Sequence, residues 1–220
     1  MPHASVLNVD MHIHSHFSAD GNMSPEDIVE RAKKERLDAI AVTDHNSIRG
    51  GQEVRKISGG LIVFVGSEIK TDQGEIIGLN LKKDVPSDLS LLQACKAVKK
   101  QNGFLIVPHP FDRFRRGIGD GMNSITDYID AVEIFNARTM MGNFNRQAAE
   151  FAEKRRLPFV AGSDAHFGPE IGSVRMLVEC KRNADEILKA VIEGKVVIKG
   201  RKTGIVPHWK TFVKNMSRKL

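Results

Sequence analysis

Short apolar, β-branched runs alternate with segments of helical periodicity along most of the chain, and this alternation limits the possible folds more than any other feature. Strand candidates occupy residues 6–12, 39–43, 61–67, 104–108, 131–135, 159–162 and 175–178. Helix candidates occupy residues 25–36, 89–101, 145–156 and 185–193, with weaker ones at 52–57 and 125–129. Strands that are each followed by a helix predict a parallel sheet, because a crossover helix usually connects parallel strands.

Local signals support several of these elements. Ser24 precedes Pro25, Glu26 and Asp27, which gives a capping residue, a proline at the first helical position and acids in the first turn. Residues 68–81 read as two strands joined by a turn at Gly74, which predicts a β-hairpin. The sequence lacks the glycine-rich phosphate motifs of open doubly wound sheets. We therefore predict one α/β domain with a closed or nearly closed barrel.

The charge of the chain is unevenly distributed. The formal net charge is +6 at pH 7, but residues 199–220 contain seven lysines or arginines and no acid. Residues 1–198 consequently carry 26 basic against 27 acidic side chains. We divide the chain into a barrel domain, residues 1–198, and a basic C-terminal tail, residues 199–220. The tail could contact nucleic acid or another acidic partner, or it could be a solvated extension.

Hydropathy and cysteine content indicate a cytoplasmic protein without membrane contact. The longest uninterrupted apolar run is residues 61–65, far below the roughly 20 residues of a membrane span. The first residues lack the apolar core of a signal peptide. Cys95 and Cys180 both lie in apolar periodic segments, where a reduced and buried thiol is expected.

Histidines and carboxylates follow most of the predicted strands. His12 and His14 lie two residues apart at the end of the first strand, so their side chains share one face. Further members follow the later strands: His45, Glu68, His109, Asp164 and His166. Because the C-terminal strand ends of a parallel barrel converge on one face, we expect these side chains to meet in one pocket.

The residue types of this pocket indicate transition metals. Histidine mixed with carboxylate suits Zn, Mn or Fe, whereas a shell of oxygen ligands alone would suit Mg or Ca. Nine candidates exceed what one ion can bind: His12, His14, Asp20, His45, Glu68, Glu75, His109, Asp164 and His166. We therefore expect two to three divalent transition metal ions (Mn, Zn or Fe), with Glu68 as a bridging carboxylate.

Five sequence blocks resemble, in order, the signature motifs of the PHP (polymerase and histidinol phosphatase) family: DMHIHSHFSADG, VTDHN, GSE, VPHP and GSDAH. The resemblance covers roughly residues 9–193. It implies a distorted (β/α)7 barrel of the PHP type with a trinuclear metal centre that hydrolyses phosphate esters.

The resemblance also implies how the ligands divide among three metal sites. The first site would contain His12, His14, Glu68 and Asp164. The second would contain Glu68, His109 and residue 75, and the third Asp20, His45 and His166. Relatives commonly have histidine where this chain has Glu75. A carboxylate there would favour Mn or Fe over Zn, or would leave the second site weak or empty.

The expected reaction is attack on phosphorus by a metal-bridging hydroxide. Asp164 is expected to orient this water and accept its proton, and His45 or a water to protonate the leaving group. In the loop after the fourth strand, we expect Arg113 and Arg116, ahead of Arg115, to bind the substrate phosphate. The alternative is a solvated basic loop.

Two polar residues close the fifth predicted strand on the same rim. Glu133 and Asn136 could orient ligands or substrate, or could face the core.

Three functions compete at this stage. The first is a metal-dependent hydrolase of a small phosphorylated metabolite or nucleotide. The second is a nuclease acting on oligonucleotide ends, and the third is a non-catalytic module that recruits nucleic acid. The near-complete ligand set argues against the third. The basic tail favours nucleic acid and the compact body favours a small substrate, so we rank small phosphorylated substrates, nucleotides included, first.

Overall fold

All the predicted strands and the four stronger predicted helices form in the computed structural model, which describes residues 4–139 and 143–203. The strands are β1 Ser5–Ile13, β2 Ala39–Val42, β3 Ile62–Lys70, β4 Glu75–Leu79, β5 Phe104–Val107, β6 Ala131–Asn136, β7 Phe159–Gly162, β8 Val174–Cys180 and β9 Val196–Gly200. The helices are α1 Pro25–Lys34, α2 Arg49–Lys56, α3 Leu91–Lys100, α4 Phe144–Arg155 and α5 Ala184–Ile192.

Helix α1 begins where the sequence predicts. The Ser24 hydroxyl accepts a hydrogen bond from the backbone N–H of Asp27 at 3.1 Å, and the Asp27 carboxylate accepts one from the N–H of Ser24 at 2.9 Å. This reciprocal cap satisfies two N–H groups that a helix start leaves unpaired. The helix then buries Ile28, Val29 and Ala32 against the barrel.

The strands form one mixed sheet in the order β7-β6-β5-β4-β3-β2-β1-β8-β9. Strands β1, β2 and β3 pair in parallel, as do β5, β6 and β7, and β4 runs antiparallel to both of its neighbours as the predicted hairpin requires. The expectation of a parallel sheet is wrong for β8, which runs antiparallel to β1. The connection from β7 to β8 contains only the 3-10 turn Gly168–Glu170 and no crossover helix.

The end of β7 closes the barrel against β1. The backbone N–H of Asp164 donates to the carbonyl of His12 at 2.7 Å, and the N–H of His14 donates to the carbonyl of Ala165 at 2.8 Å. The close approach requires Gly162, since a Cβ at this position would lie 2.3 Å from the Cβ of His12. The prediction of a distorted (β/α)7 barrel is confirmed.

Strand β9 was not predicted from the sequence. It pairs with β8 and crosses the boundary placed between residues 198 and 199. The chain stays in contact with the barrel up to Thr203, whose N–H donates to the carbonyl of Ala137 at 3.0 Å. Residues 204–220, most of the basic tail, lie outside the described residues, so the role of the tail stays a prediction.

Apolar side chains fill the barrel and the layer between sheet and helices. Met11, Phe64 and Ile77 pack in the barrel interior, each with 1 % or less of its surface exposed. Cys95 and Cys180 are both free and buried, as predicted. Among residues 4–139 and 143–203, none of the helices has the length and apolar character needed to cross a membrane.

Candidate metal centre

All nine predicted ligands meet on the rim formed by the carboxyl ends of the parallel strands. Their ligand atoms form three groups in which all atoms lie within 4.8 Å of one another: His14, Asp20, His45 and His166; His12, His14 and Asp164; and Glu68, Glu75 and His109. Glu75 reaches this rim from the first position of β4 because β4 runs antiparallel to β3 and pairs Glu75 with Lys70. The structure thus brings together residues that are up to 154 positions apart in sequence.

The two histidines of β1 direct their Nε2 atoms to one point. These atoms lie 3.0 Å apart, and both side chains are fully buried. The Nδ1 atom of His12 lies 3.1 Å from Glu133, and the Nδ1 atom of His14 lies 3.0 Å from the hydroxyl of Ser18. When Nδ1 donates its proton to such a partner, Nε2 keeps a lone pair for a metal ion.

The Glu68 carboxylate lies at the centre of the histidine cluster. Its Oε1 is 2.9 Å from Nε2 of His109, and its Oε2 is 3.3 Å from both His14 Nε2 and His45 Nδ1. Burial alone would raise the pKa of Glu68, but the neighbouring imidazoles, led by His12, hold that pKa well below its ordinary value. The group therefore stays an anion with its two oxygens facing different histidines.

Glu75 places a second carboxylate beside Glu68. Its side chain is buried, and burial together with the negative charge of Glu68 raises its pKa. Two carboxylates in one buried position repel each other unless a cation or proton lies between them. The group of Glu68, Glu75 and His109 therefore carries negative charge that a cation would balance.

Asp20 and His45 form the open side of the cluster. Oδ2 of Asp20 lies 3.1 Å from His166 Nε2 and 3.5 Å from His45 Nε2. The side chains of Asp20 and His45 are 16 % and 26 % exposed, whereas His166 is 5 % exposed. A substrate would consequently reach the cluster from this side.

Unpaired buried atoms test whether these residues suit a metal. Among the described residues, Asp20 Oδ1, Asp164 Oδ1 and His109 Nδ1 are buried without a hydrogen-bond partner. Leaving such a group unsatisfied costs about 1–3 kcal/mol. Carboxylate oxygens and imidazole nitrogens are donors that Zn, Mn and Fe accept. The residues present therefore fit transition metal ions.

Two of the predicted ligands have unusual backbone conformations. The φ angle is +28° at His109 and +53° at Asp164, in the region that residues with a Cβ rarely adopt. Such strain costs about 1–3 kcal/mol and is characteristic of functional sites, where the surrounding structure imposes it. Here the strained residues lie in the turns after β5 and β7, and their side chains point into the cluster.

Glu133 and Asn136 support the ligands from behind. The Oε2 atom of Glu133 accepts hydrogen bonds from the backbone N–H of His109 at 2.8 Å and from Nδ2 of Asn136 at 2.9 Å. The same Nδ2 donates to Oδ2 of Asp164 at 2.9 Å. From the sequence, these two residues could either orient ligands or face the core. In the structure they contact three of the predicted ligands, His12, His109 and Asp164.

Arg115 is the arginine of its loop that reaches the cluster. Its guanidinium contacts Oδ2 of Asp164 and donates from Nη1 to Oδ1 of Asn136 at 2.8 Å. Arg113 and Arg116, which the sequence ranked ahead of it, have exposed side chains. The 3-10 turn Arg113–Arg115 explains the difference: with three residues per turn, Arg115 projects on the same side as the buried Asp112.

Arg138 was missed by sequence reasoning. It lies two residues beyond β6, is 3 % exposed, and has Nε 3.7 Å from the Glu170 carboxylate. Burial lowers its pKa to about 10. The burial of His166, together with the nearby charges of His14 and Arg138, holds the pKa of His166 well below its ordinary value. A basic residue shortly after a strand end was the available signal.

Two models of one protein family match the chain. Residues 10–106 match the family model described as PHP domain, and residues 142–196 match the model described as PHP-associated. Uncharacterized protein MJ1587 of Methanocaldococcus jannaschii is 38 % identical over 154 residues, which cover 64 % of this chain and 89 % of that protein. A Haemophilus influenzae protein named 5'-3' exoribonuclease is 32 % identical over 126 residues, 51 % of this chain and 45 % of that protein.

The fold also resembles that of solved structures. A two-domain protein from Bacteroides vulgatus, described as containing a predicted PHP-like metal-dependent phosphoesterase, superposes with a TM-score of 0.77. The match covers 96 % of this chain and 70 % of that chain at 20 % identity. At this identity the likeness concerns the fold.

Proposed function

Because the chain belongs to the PHP family, we propose that it is a metal-dependent hydrolase of phosphate esters whose substrate is a small phosphorylated metabolite or a nucleotide. One observation carries the proposal: nine histidines and carboxylates converge on one rim in three groups, beside an arginine guanidinium. Two to three divalent ions of Mn, Zn or Fe held by these groups would lower the pKa of water and neutralise charge on the phosphate.

Glu68 is the proposed shared ligand of two ions. Its two oxygens face different histidines, Oε1 towards His109 and Oε2 towards His14 and His45. A carboxylate with divided partners can bind one ion through each oxygen. The remaining ligands divide as the three groups of donor atoms do, with Glu75 completing the group of His109.

Asp164 is the proposed acceptor of a proton from the attacking water. Asn136 and Arg115 hold its Oδ2, which leaves Oδ1 directed at His14 Nε2 and His12 Nε2, 3.4 and 3.7 Å away. The carboxylate is thereby fixed in orientation with one oxygen available. A base held in this way can accept a proton without reorganising.

Arg115 is the proposed phosphate-binding residue. Its guanidinium already lies against a carboxylate of the cluster, and a guanidinium presents paired N–H groups that match two phosphate oxygens. Contact of Arg113 and Arg116 with the phosphate stays a prediction, and their exposed side chains suit contacts further from the reacting phosphorus.

His45 is the proposed donor of a proton to the leaving group, with a water as the alternative. It has the most exposed ring among the predicted ligand histidines, and it lines the side on which a leaving group would face solvent. Its Nε2 lies 3.5 Å from Asp20, which fixes the ring direction.

Similarity to a protein named 5'-3' exoribonuclease favours a second candidate function. In this alternative the chain is a nuclease acting on oligonucleotide ends, and the basic tail would bind the nucleic acid. A cytoplasmic location is part of both proposals.

A substrate panel tests the proposal. Metal-loaded protein would be assayed with sugar phosphates, nucleoside monophosphates and short oligonucleotides in the presence of Mn, Zn, Fe or Mg. Release of phosphate from small esters, and slower cleavage of oligonucleotides, is the expected result. Faster turnover of oligonucleotides would favour the nuclease, and hydrolysis of none of them would reject both functions.

A further inference from the structure

Phe114 is the most exposed large apolar side chain among the described residues. Phe114 is 79 % exposed, and Val197, the second most exposed of these residues, is 59 % exposed. Single exposed apolar residues are common on protein surfaces and need no explanation in themselves. The position of Phe114 relative to the metal centre is what distinguishes it.

Phe114 lies on the rim of the proposed active site. The next residue, Arg115, extends its guanidinium to Asp164. Adjacent Cα atoms are about 3.8 Å apart, so the backbone of Phe114 lies one residue away from a side chain that enters the cluster. A substrate whose phosphate contacts Arg115 and whose other groups extend over this turn would meet the Phe114 ring.

The turn that presents Phe114 is held by several hydrogen bonds. The buried Asp112 accepts from the N–H of Phe114 through Oδ1 at 3.1 Å, and from the N–H of Arg115 through its carbonyl at 3.1 Å. The carbonyl of Arg116 accepts from the N–H of Glu75 at 3.0 Å, which ties the turn to a predicted ligand. The exposed ring is therefore attached to a backbone that these hydrogen bonds hold in place.

Most of the Phe114 surface is open to a ligand. Phe144, at the start of α4, lies 6.4 Å away between ring centroids and is tilted by 55°, so it supports the ring from the side. Phe17, another phenylalanine that follows a strand end, differs, because the guanidinium of Arg49 lies over its ring at 4.6 Å from the centroid. Arg113, the preceding residue, is also exposed.

We propose that Phe114 is a stacking platform for a nucleobase of the substrate, in a subsite next to the metal centre. A flat aromatic face beside guanidinium groups matches a base attached to phosphates, whereas a sugar phosphate offers no flat apolar face. A folded protein partner would require a far larger surface than one ring. The inference rests on the proposed function and narrows its substrate to a nucleotide or the end of a single-stranded oligonucleotide.

A binding experiment on the full chain tests the stacking directly. Phe114→Ala, Phe114→Trp and the control Val197→Ala would be titrated as metal-loaded proteins, by anisotropy, against a fluorescent 5'-phosphorylated pentathymidylate in which phosphorothioate groups replace the phosphates to slow cleavage. Stacking of one base predicts about 5-fold or more weaker binding for Phe114→Ala. Phe114→Trp should bind as the wild type does, and so should Val197→Ala. Wild-type binding by Phe114→Ala would overturn the inference.

Kinetics separate this inference from the proposed function. On metal-loaded protein, Phe114→Ala should lower kcat/KM for a nucleotide but leave that for ribose 5-phosphate unchanged. A loss already seen with a nucleoside monophosphate identifies the free nucleotide as the source of the base, and a loss confined to an oligonucleotide identifies a strand end. Equal effects on ribose 5-phosphate and nucleotide would overturn the platform while leaving the hydrolase intact. Weaker binding without hydrolysis of any ester would support the platform and reject the hydrolase.

Discussion

Oε1 of Glu133, in β6, lies 3.1 Å from Nδ1 of His12, near the end of β1. The carboxylate is 1 % exposed, and burial by itself would raise its pKa, but the charge of His12 and its hydrogen bond lower that pKa. Glu133 therefore stays ionised and fixes the His12 ring with Nε2 towards the cluster. Such partners of metal-binding histidines orient the ring and raise its basicity.

Glu133→Gln should weaken metal binding by about 10- to 100-fold, because the amide cannot hold the His12 ring as a carboxylate does. The affinity would be measured by competition with a chromophoric chelator. Glu179→Gln, which changes an exposed glutamate on β8, is the matched control and should bind as the wild type does. Equal affinities for Glu133→Gln and the wild type would show that the contact is not needed for binding.

The purified protein should contain between two and three equivalents of transition metal after reconstitution. Nine donors in three groups exceed the four to six positions of one ion. Elemental analysis of protein freed of unbound metal measures the content. Less than one equivalent would rule out a multinuclear centre.

Glu68→Ala should abolish hydrolysis more completely than Glu75→Ala. Glu68 contacts histidines of all three groups, whereas Glu75 belongs to one. Metal content should fall in parallel, with the larger loss for Glu68→Ala. The comparison requires residual activity and metal content of both variants, and equal residual activities would count against a bridging role for Glu68.

Arg115→Ala should raise KM and lower kcat/KM for phosphate esters by about 10-fold or more, since a hydrogen bond to a charged group contributes about 1.5–3 kcal/mol. Its metal content should not change. Arg113→Ala, which changes an exposed arginine of the same loop, is the matched control and should have a smaller effect. A larger effect of Arg113→Ala than of Arg115→Ala would indicate that Arg113 binds the phosphate.

Gly162→Ala should destabilise the protein by about 1–3 kcal/mol, because the added Cβ would lie 2.3 Å from Cβ of His12 and 2.7 Å from Oε1 of Glu133. For a chain of this size the expected fall in Tm is a few degrees or more. Gly168→Ala is the control, since its Cβ would meet no atom within 4 Å. Thermal unfolding followed by circular dichroism compares them, and equal Tm values would contradict the close contact of β7 with β1.

The arrangement of most of the predicted ligands could be inferred from sequence because they lie at the ends of strand signals. His12, His109 and Asp164 are separated by long stretches, yet strand ends in such a barrel share one rim. Glu75 is also on that rim although β4 is antiparallel, because β4 begins where β3 ends. The hairpin signal at Gly74 predicted this arrangement. Periodicity and turn residues were sufficient for this part of the molecule.

Other features depended on tertiary contacts that no local pattern contains. Strand β8 can run antiparallel to β1 because no crossover helix follows β7. Strand β9 pairs with the edge of β8. The choice of Arg115 over Arg116 depends on a left-handed residue, since Arg116 has a φ of +55° and turns the chain away. Three arginines within four residues cannot be ranked by residue type alone.

Removal and return of metal tests the central claim most directly. Phosphate release from the best substrate of the panel would be followed before chelation, after dialysis against a chelator, and after Mn is added back to two or three equivalents. We predict that chelation abolishes hydrolysis and that Mn restores it in proportion to the metal bound. A rate that chelation leaves unchanged, with metal content confirmed as negligible, would contradict a metal-dependent phosphoesterase.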